Sequence, residues 1–223
     1  MKKYSIIYAD PPWAYLWGTG KDGGRFSPEK HYPTMTTEEL CGLDVKSLRA
    51  PHCVLALWTT GPCLPDAFDL LKAWGFKYKT MLFVWVKRNP ASGTIVCGPG
   101  SYTRSACEYV LLGSRGHIKR VSTRPISQVV EEPRRRHSSK PDLVRRQLVE
   151  LFGDLPRVEL FARTRAEGWD VFGNELEHGI DLPPPSESGP AVRPHSVRIR
   201  KDRARRPRPG DDQPAVAGTA VSS

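Results

Sequence analysis

Apolar and polar positions alternate between two kinds of block along the chain. Ser5–Asp10 is a short apolar run that Pro11 and Pro12 cut off, because proline supplies no backbone N–H to continue a ladder or a helix. Cys53–Thr60 is almost continuously apolar, the pattern of a strand buried on both faces. Leu64, Ala67, Phe68, Leu71 and Trp74 recur at helical spacing, and Gly75 ends that helix. Met81–Val86 and Tyr109–Leu112 predict two further buried strands. Ser139-Lys140-Pro141-Asp142 predicts a helix start, with Ser139 as N-cap, Pro141 in the first turn and Asp142 at the capping-box position. Val144, Leu148, Leu151 and Phe152 then share one face. Strands are predicted at Arg157–Phe161 and Trp169–Phe172.

Strands alternating with helices predict an α/β fold, a mostly parallel sheet with helices on both faces. Ligands of such sheets bind beyond the carboxyl ends of the strands. Asp10, Thr59, Lys87, Arg163 and Asn174 all fall at predicted strand ends.

Length and charge set the frame. The chain has 223 residues, enough for one domain with its own core, and a formal charge of +10. The folded domain is expected over residues 1–180. Residues 181–223 carry eight Pro, no aromatic residue and an Arg-rich run from Arg193 to Arg208. That composition predicts a disordered basic tail, which either solubilises the chain or attracts phosphates. Residues 115–146 carry ten Lys/Arg against three acids, a second candidate for phosphate contact. Five scattered Cys with no C-x-x-C pair argue against a disulfide scaffold or zinc ribbon, so no metal is expected. No segment is apolar and long enough to span a bilayer or form a signal-peptide core, which predicts a soluble cytoplasmic protein with no membrane partner. Gly18, Gly20 and Gly23 fit G-x-G-x-x-G, but Pro28 and Pro33 follow and no helix pattern does, so a mobile loop is the better description than a nicotinamide site.

Asp10-Pro11-Pro12-Trp13 directly after a buried strand is the most informative feature. Methylating an exocyclic adenine amine requires acceptors for both of its N–H groups, because the nitrogen lone pair is otherwise delocalised into the ring. A strand-end carboxylate and a proline-stiffened carbonyl can supply them without reorganisation. A neighbouring Trp offers a face for an extruded base. The alternative for an isolated tetrapeptide is a rigid turn with an anchoring aromatic.

With Tyr8–Trp13, the stretches Tyr32–Met35, Leu57–Thr60, Trp74–Phe76, Val84–Lys87, Glu108–Gly113, His137–Asp142, Val158–Arg163 and Gly173-Asn174 occur in one fixed order. In this the chain resembles the adenine-N6 methyltransferases typified by the eukaryotic messenger-RNA adenosine methyltransferase, in its short bacterial and phage form. The resemblance implies a Rossmann-like, S-adenosyl-L-methionine-dependent methyltransferase fold with circularly shifted motif order. It implies that Asp10 and the Pro11 carbonyl hold the target amine, that Pro12 stiffens the motif and that Trp13 stacks on the base. Lys140 would hold the donor carboxylate, with Arg163, Asn174 and Glu175 completing the donor site. Tyr32, Lys87 and Glu108 would line the substrate side, and the Gly- and aromatic-rich loop holding Tyr15 and Trp17 would close over it. Two departures stand out. Arg165 and Ala166 replace the His and Asn of the messenger-RNA enzyme, and only three residues precede Tyr4, where that enzyme contacts the donor adenine. Nucleic acid is the implied partner, with DNA favoured and RNA or a non-catalytic binding role as the alternatives.

Overall fold

The computed structural model describes residues 2–14, 34–98, 100, 102–134 and 139–172. Seven strands form one sheet: β1 (Tyr4–Ala9), β2 (Arg49–Thr59), β3 (Lys77–Arg88), β4 (Cys107–Arg115), β5 (Val129–Pro133), β6 (Arg157–Leu160) and β7 (Asp170–Phe172). Among the described residues three α-helices accompany them: α1 (Thr37–Gly42), α2 (Leu64–Ala73) and α3 (Asp142–Phe152). Strand order is β5-β3-β4-β2-β1-β6-β7. The parallel pairs are β1–β2, β1–β6, β3–β5 and β6–β7, while β4 runs against both β2 and β3. The expected α/β class with a mostly parallel sheet is therefore present, with β4 as the reversed strand.

β1 is central, which explains its nearly unbroken apolar run: Ile6, Ile7, Tyr8 and Ala9 are all inaccessible. Its side chains alternate between two cores. Ile7 and Ala9 pack with Leu55, Leu57, Leu70 and Trp74 beneath α1 and α2. Ile6 and Tyr8 pack with Val54, Trp58, Val110, Val144 and Leu148 beneath α3. A register shift between Tyr4 and Ile6 puts Tyr4 in the first core, beside Ile7. Each fully buried aliphatic side chain contributes about 1.5–3 kcal/mol, so this two-sided burial holds β1 rigidly.

Local sequence sets the helix ends. Thr36 and Glu39 form a reciprocal capping box on α1. α2 ends in a Schellman motif: Phe76 N–H donates to the Leu71 carbonyl at 2.8 Å and Gly75 N–H to Lys72 at 2.8 Å, with Gly75 at φ +73. At α3 the expectation fails. Pro141, not Ser139, is the N-cap, with extended ψ of 127 and no side-chain cap, so Asp142 is the first helical residue and no capping box forms. A proline pushes the residue before it out of helical geometry, which keeps Lys140 outside the helix.

The chain leaves β1 towards β2 on one side and returns after α3 to lay β6 on the other. The β1–β6 junction is thus the point where strand order reverses, the place where open α/β sheets bind ligands.

Candidate active site

Because β4 is reversed, its first residues reach the same sheet edge as the last residues of β1, β2, β3 and β6. Glu108 sits opposite Trp85, and Tyr109 opposite Thr59. Asp10 follows β1, Lys87 lies near the end of β3, and Lys140 immediately precedes Pro141 and α3. These four charged side chains form one continuous ion network. Lys140 Nζ donates to Asp10 Oδ2 at 2.7 Å and lies 3.3 Å from Glu108 Oε2. Lys87 Nζ donates to Glu108 Oε1 at 2.5 Å. Asp10 and Lys140 are only 18% and 12% exposed, and the Lys140 ammonium lies 5.5 Å from the centre of the Trp58 ring.

Burial and pairing compete in this network. Burial raises the Asp10 carboxyl above the usual carboxylate range; Lys140 opposes the shift and Glu108 adds to it. Burial also pushes Glu108 up, but Lys140 and Lys87 together outweigh it and hold Glu108 low. Burial pulls Lys140 down, yet its two carboxylates more than compensate and keep it charged. Asp10 is therefore the weaker acid of the two, and the one whose negative charge most needs a partner.

The prolines shape the backbone beyond Asp10. Trp13 N–H donates to the Pro11 carbonyl at 2.9 Å, a tight turn around Pro12, and Met35 N–H donates to the Pro12 carbonyl at 2.8 Å. The Pro11 oxygen is thereby fixed and keeps a second lone pair. Trp13 departs from the expected open stacking face. It is 6% exposed, packs in the core beneath α1 and α2, and donates its indole N–H to the Trp58 carbonyl at 3.1 Å. Here it anchors the turn, bridged to Met35 on one side and bonded to the Trp58 carbonyl of β2 on the other.

A small hollow beside Asp10 is lined by Ser139, Lys140, Arg145, Glu159, Phe161, Arg163 and Thr164. Arg163 is thus at this edge, as expected. Phe161 takes φ +62, an uncommon conformation for a bulky residue, and ends β6 one residue early. Sequence reasoning missed Glu159 and Arg145. Glu159 is buried and accepts from Arg145 at 3.0 Å, and burial pushes its carboxyl up to about 7 against the pull of Arg145. A charged residue inside the apolar run Val158–Leu160 was the available signal. A larger cleft of about 390 Å³, running from Asp142 and Arg145 to Trp169, shares only Arg145 with this hollow and lies away from Asp10.

The basic segment 115–146 crosses from one sheet edge to the other. β4 carries Arg115 to the edge opposite Asp10, where it pairs with Cys53, whereas β5 runs beside Val84–Arg88, the last residues of β3, at the ion-network end of the sheet. The segment therefore starts across the molecule from the ion network, with Val121 N–H bonded to the Leu151 carbonyl at the end of α3, and has crossed back by Gln128, whose carbonyl accepts from Val84 N–H at 2.9 Å. Only the later part of the segment, including Lys140, returns to the site.

The family model for MT-A70 matches residues 4–175, which include every element described above. The chain belongs to the MT-A70 family. It is 37% identical over 202 residues to the Type II methyltransferase M.MunI of a Mycoplasma species, covering 83% of this chain and 84% of that one. It is 29% identical over 186 residues to the N(6)-adenosine-methyltransferase MT-A70-like protein of Drosophila melanogaster, covering 82% of this chain and 28% of the relative. It is 26% identical over 188 residues to the human N(6)-adenine-specific methyltransferase METTL4, covering 38% of that protein. MT-A70 proteins are S-adenosylmethionine-dependent methyltransferases, in line with the implied fold and cofactor. The residues at the sheet edge fit that cofactor. Its methionyl end carries a carboxylate, an ammonium and a sulfonium, and the edge interleaves Lys140, Arg145 and Arg163 with Asp10, Glu108 and Glu159. Lys140 uses two of its three N–H groups on Asp10 and Glu108, which leaves one for a carboxylate. Tyr32, Asn174 and Glu175 lie outside the described residues, as do Tyr15, Trp17, glycines 18, 20 and 23, and the tail 181–223. Among the described residues no metal-binding cluster occurs and no helix is long and apolar enough to cross a membrane.

Proposed function

We propose that this MT-A70 protein transfers a methyl group from S-adenosylmethionine to the N6 amine of adenine in DNA. The observation that carries this reading is the buried Asp10, placed at the strand-order reversal and joined to Lys140 at 2.7 Å. When bound, the cofactor supplies an electrophilic methyl on a sulfonium. Asp10 accepts one N–H of the target amine and the Pro11 carbonyl accepts the other through its second lone pair. Holding both N–H groups frees the nitrogen lone pair from the ring. Burial makes Asp10 a better base than a solvated carboxylate, so it is also the group placed to take the proton that the methylated nitrogen sheds. Lys140, with Arg163, holds the carboxylate end of the donor. Lys87 and Glu108 keep Lys140 in place and give the site a balanced charge.

DNA is favoured because the relative matched over most of both chains is a Type II methyltransferase. The relatives named for N(6)-adenosine or N(6)-adenine chemistry support the target atom. The test is methyl transfer from labelled donor to single- and double-stranded DNA and RNA, followed by nucleoside mass analysis. N6-methyladenine in DNA is expected. Label in RNA alone would move the reading to RNA, and binding without transfer in any polymer would contradict it.

A further inference from the structure

The segment 89–106 between β3 and β4 is absorbed by neither the fold nor the catalytic network, yet it springs from that network. Its two ends are Lys87 and Glu108, joined at 2.5 Å, so it projects from the same sheet edge as Asp10. Its described residues are held by hydrogen bonds of their own. Arg88 bridges to Ile95, Asn89 N–H donates to the Thr94 carbonyl at 2.8 Å, and Asn89 Oδ1 accepts from Ala91 at 3.0 Å. Val96 N–H then bonds the Lys87 carbonyl, and Gly98 N–H bonds the Ser105 carbonyl, both at 2.8 Å. The hairpin is so tight that a Cβ on Gly98 would lie 2.6 Å from the Ser105 oxygen, and one on Gly100 only 1.8 Å from that of Thr103.

What this arm presents is specific. Tyr102 is 86% exposed, more than any other large hydrophobic residue described, and Ile95 is 49% exposed. Arg104 is exposed beside it. Residues 88–107 contain no Asp or Glu, but they contain Arg88, Arg104, Asn89 and five Ser/Thr hydroxyls. The core of a protein–protein interface is apolar and gathers several large side chains. One bare aromatic among cations, hydroxyls and glycines is the composition of a surface for phosphates and base faces.

We propose that the 89–106 arm is a DNA-contacting element. Tyr102 packs on a base flanking the target adenine, and Arg104 engages the adjoining phosphate. The arm would thus fix which adenine is offered to Asp10. This rests on the DNA-methyltransferase reading above, which assigns residues to the target amine but none to the flanking bases or phosphates.

The test uses the full chain and unmethylated plasmid DNA as the probe. Tyr102→Ala should lower kcat/KM for DNA about 5- to 150-fold, the range of one lost base stack, while Tyr102→Phe stays within about twofold of wild type. Arg104→Ala should lower the slope of log affinity against log salt by about 0.9. Donor affinity and thermal midpoint should be unchanged in all three, since the arm is not part of either core. Mapping N6-methyladenine along the plasmid should show altered site preference for Tyr102→Ala. A folded Tyr102→Ala protein with wild-type kcat/KM and wild-type site preference would overturn the proposal. So would a change confined to oligomeric state in light scattering, which would make the arm a protein interface. If wild type itself transfers no methyl to the plasmid, the functional reading fails instead.

Discussion

Replacing Lys140 by Met tests the ion network at its centre. The variant keeps most of the aliphatic stem but removes the cation bridging Asp10 (2.7 Å) and Glu108 (3.3 Å). Glu108 keeps Lys87, so the uncompensated charge falls on Asp10. Removing one partner of a buried pair costs about 3–5 kcal/mol; Asp10 retains some solvent contact, so about 3 kcal/mol is expected at pH 8. The penalty depends on pH with a definite sign. Burial already raises the Asp10 carboxyl, and loss of Lys140, which opposes that shift, raises it further. The folded variant then binds a proton more tightly than the unfolded chain. The deficit is therefore largest above the raised value and shrinks as pH falls through it. Urea denaturation of wild type and variant at pH 8.0 and pH 5.5 measures it. The variant should be about 3 kcal/mol less stable at the higher pH and measurably closer to wild type at the lower. Calorimetry should show donor affinity weakened by about 1.5–3 kcal/mol, one lost charge-assisted hydrogen bond. Equal destabilisation at both pH values, or unchanged donor affinity, would refute the reasoning.

Trp13→Phe should cost about 1–3 kcal/mol in a urea melt, by orphaning the Trp58 carbonyl, and leave KM for nucleic acid within about twofold; normal stability with a tenfold higher KM would put the indole against the base. Donor affinity should fall as pH drops through about 7, where Glu159 takes a proton, and Glu159→Gln should abolish that limb in calorimetric titrations. The same raised value means that the folded state gains stability from this group as pH falls from 7 to 4.5, visible as a flattening of acid destabilisation that Glu159→Gln removes.

The central strand and its motif were legible because they depend on short-range pattern. The Ile6–Ala9 run needs burial on both faces, and Pro11-Pro12 must end it. The Schellman end of α2 was announced by Gly75 after a helical apolar stripe. α1 had a readable signal in Thr36 and Glu39, three apart, that its short length obscured. β5 was hidden in a charged stretch, since an edge strand with only Val130 fully buried has no apolar run to read. The pairings of the site were out of reach for another reason. Asp10 and Lys140 are 130 positions apart, and only the reversed strand β4 brings Glu108 to both. The burial of Trp13 depends equally on long-range contact, with the Trp58 carbonyl on β2.

Asp10→Asn bears most directly on the account. It keeps the shape of the side chain and a neutral contact for Lys140, but removes the charge and turns one acceptor into a donor facing the amine. Single-turnover methyl transfer to DNA should fall by at least about 10²–10³, with donor affinity within about threefold of wild type. Near-normal turnover in a folded Asp10→Asn protein would contradict the claim that this carboxylate holds the adenine amine.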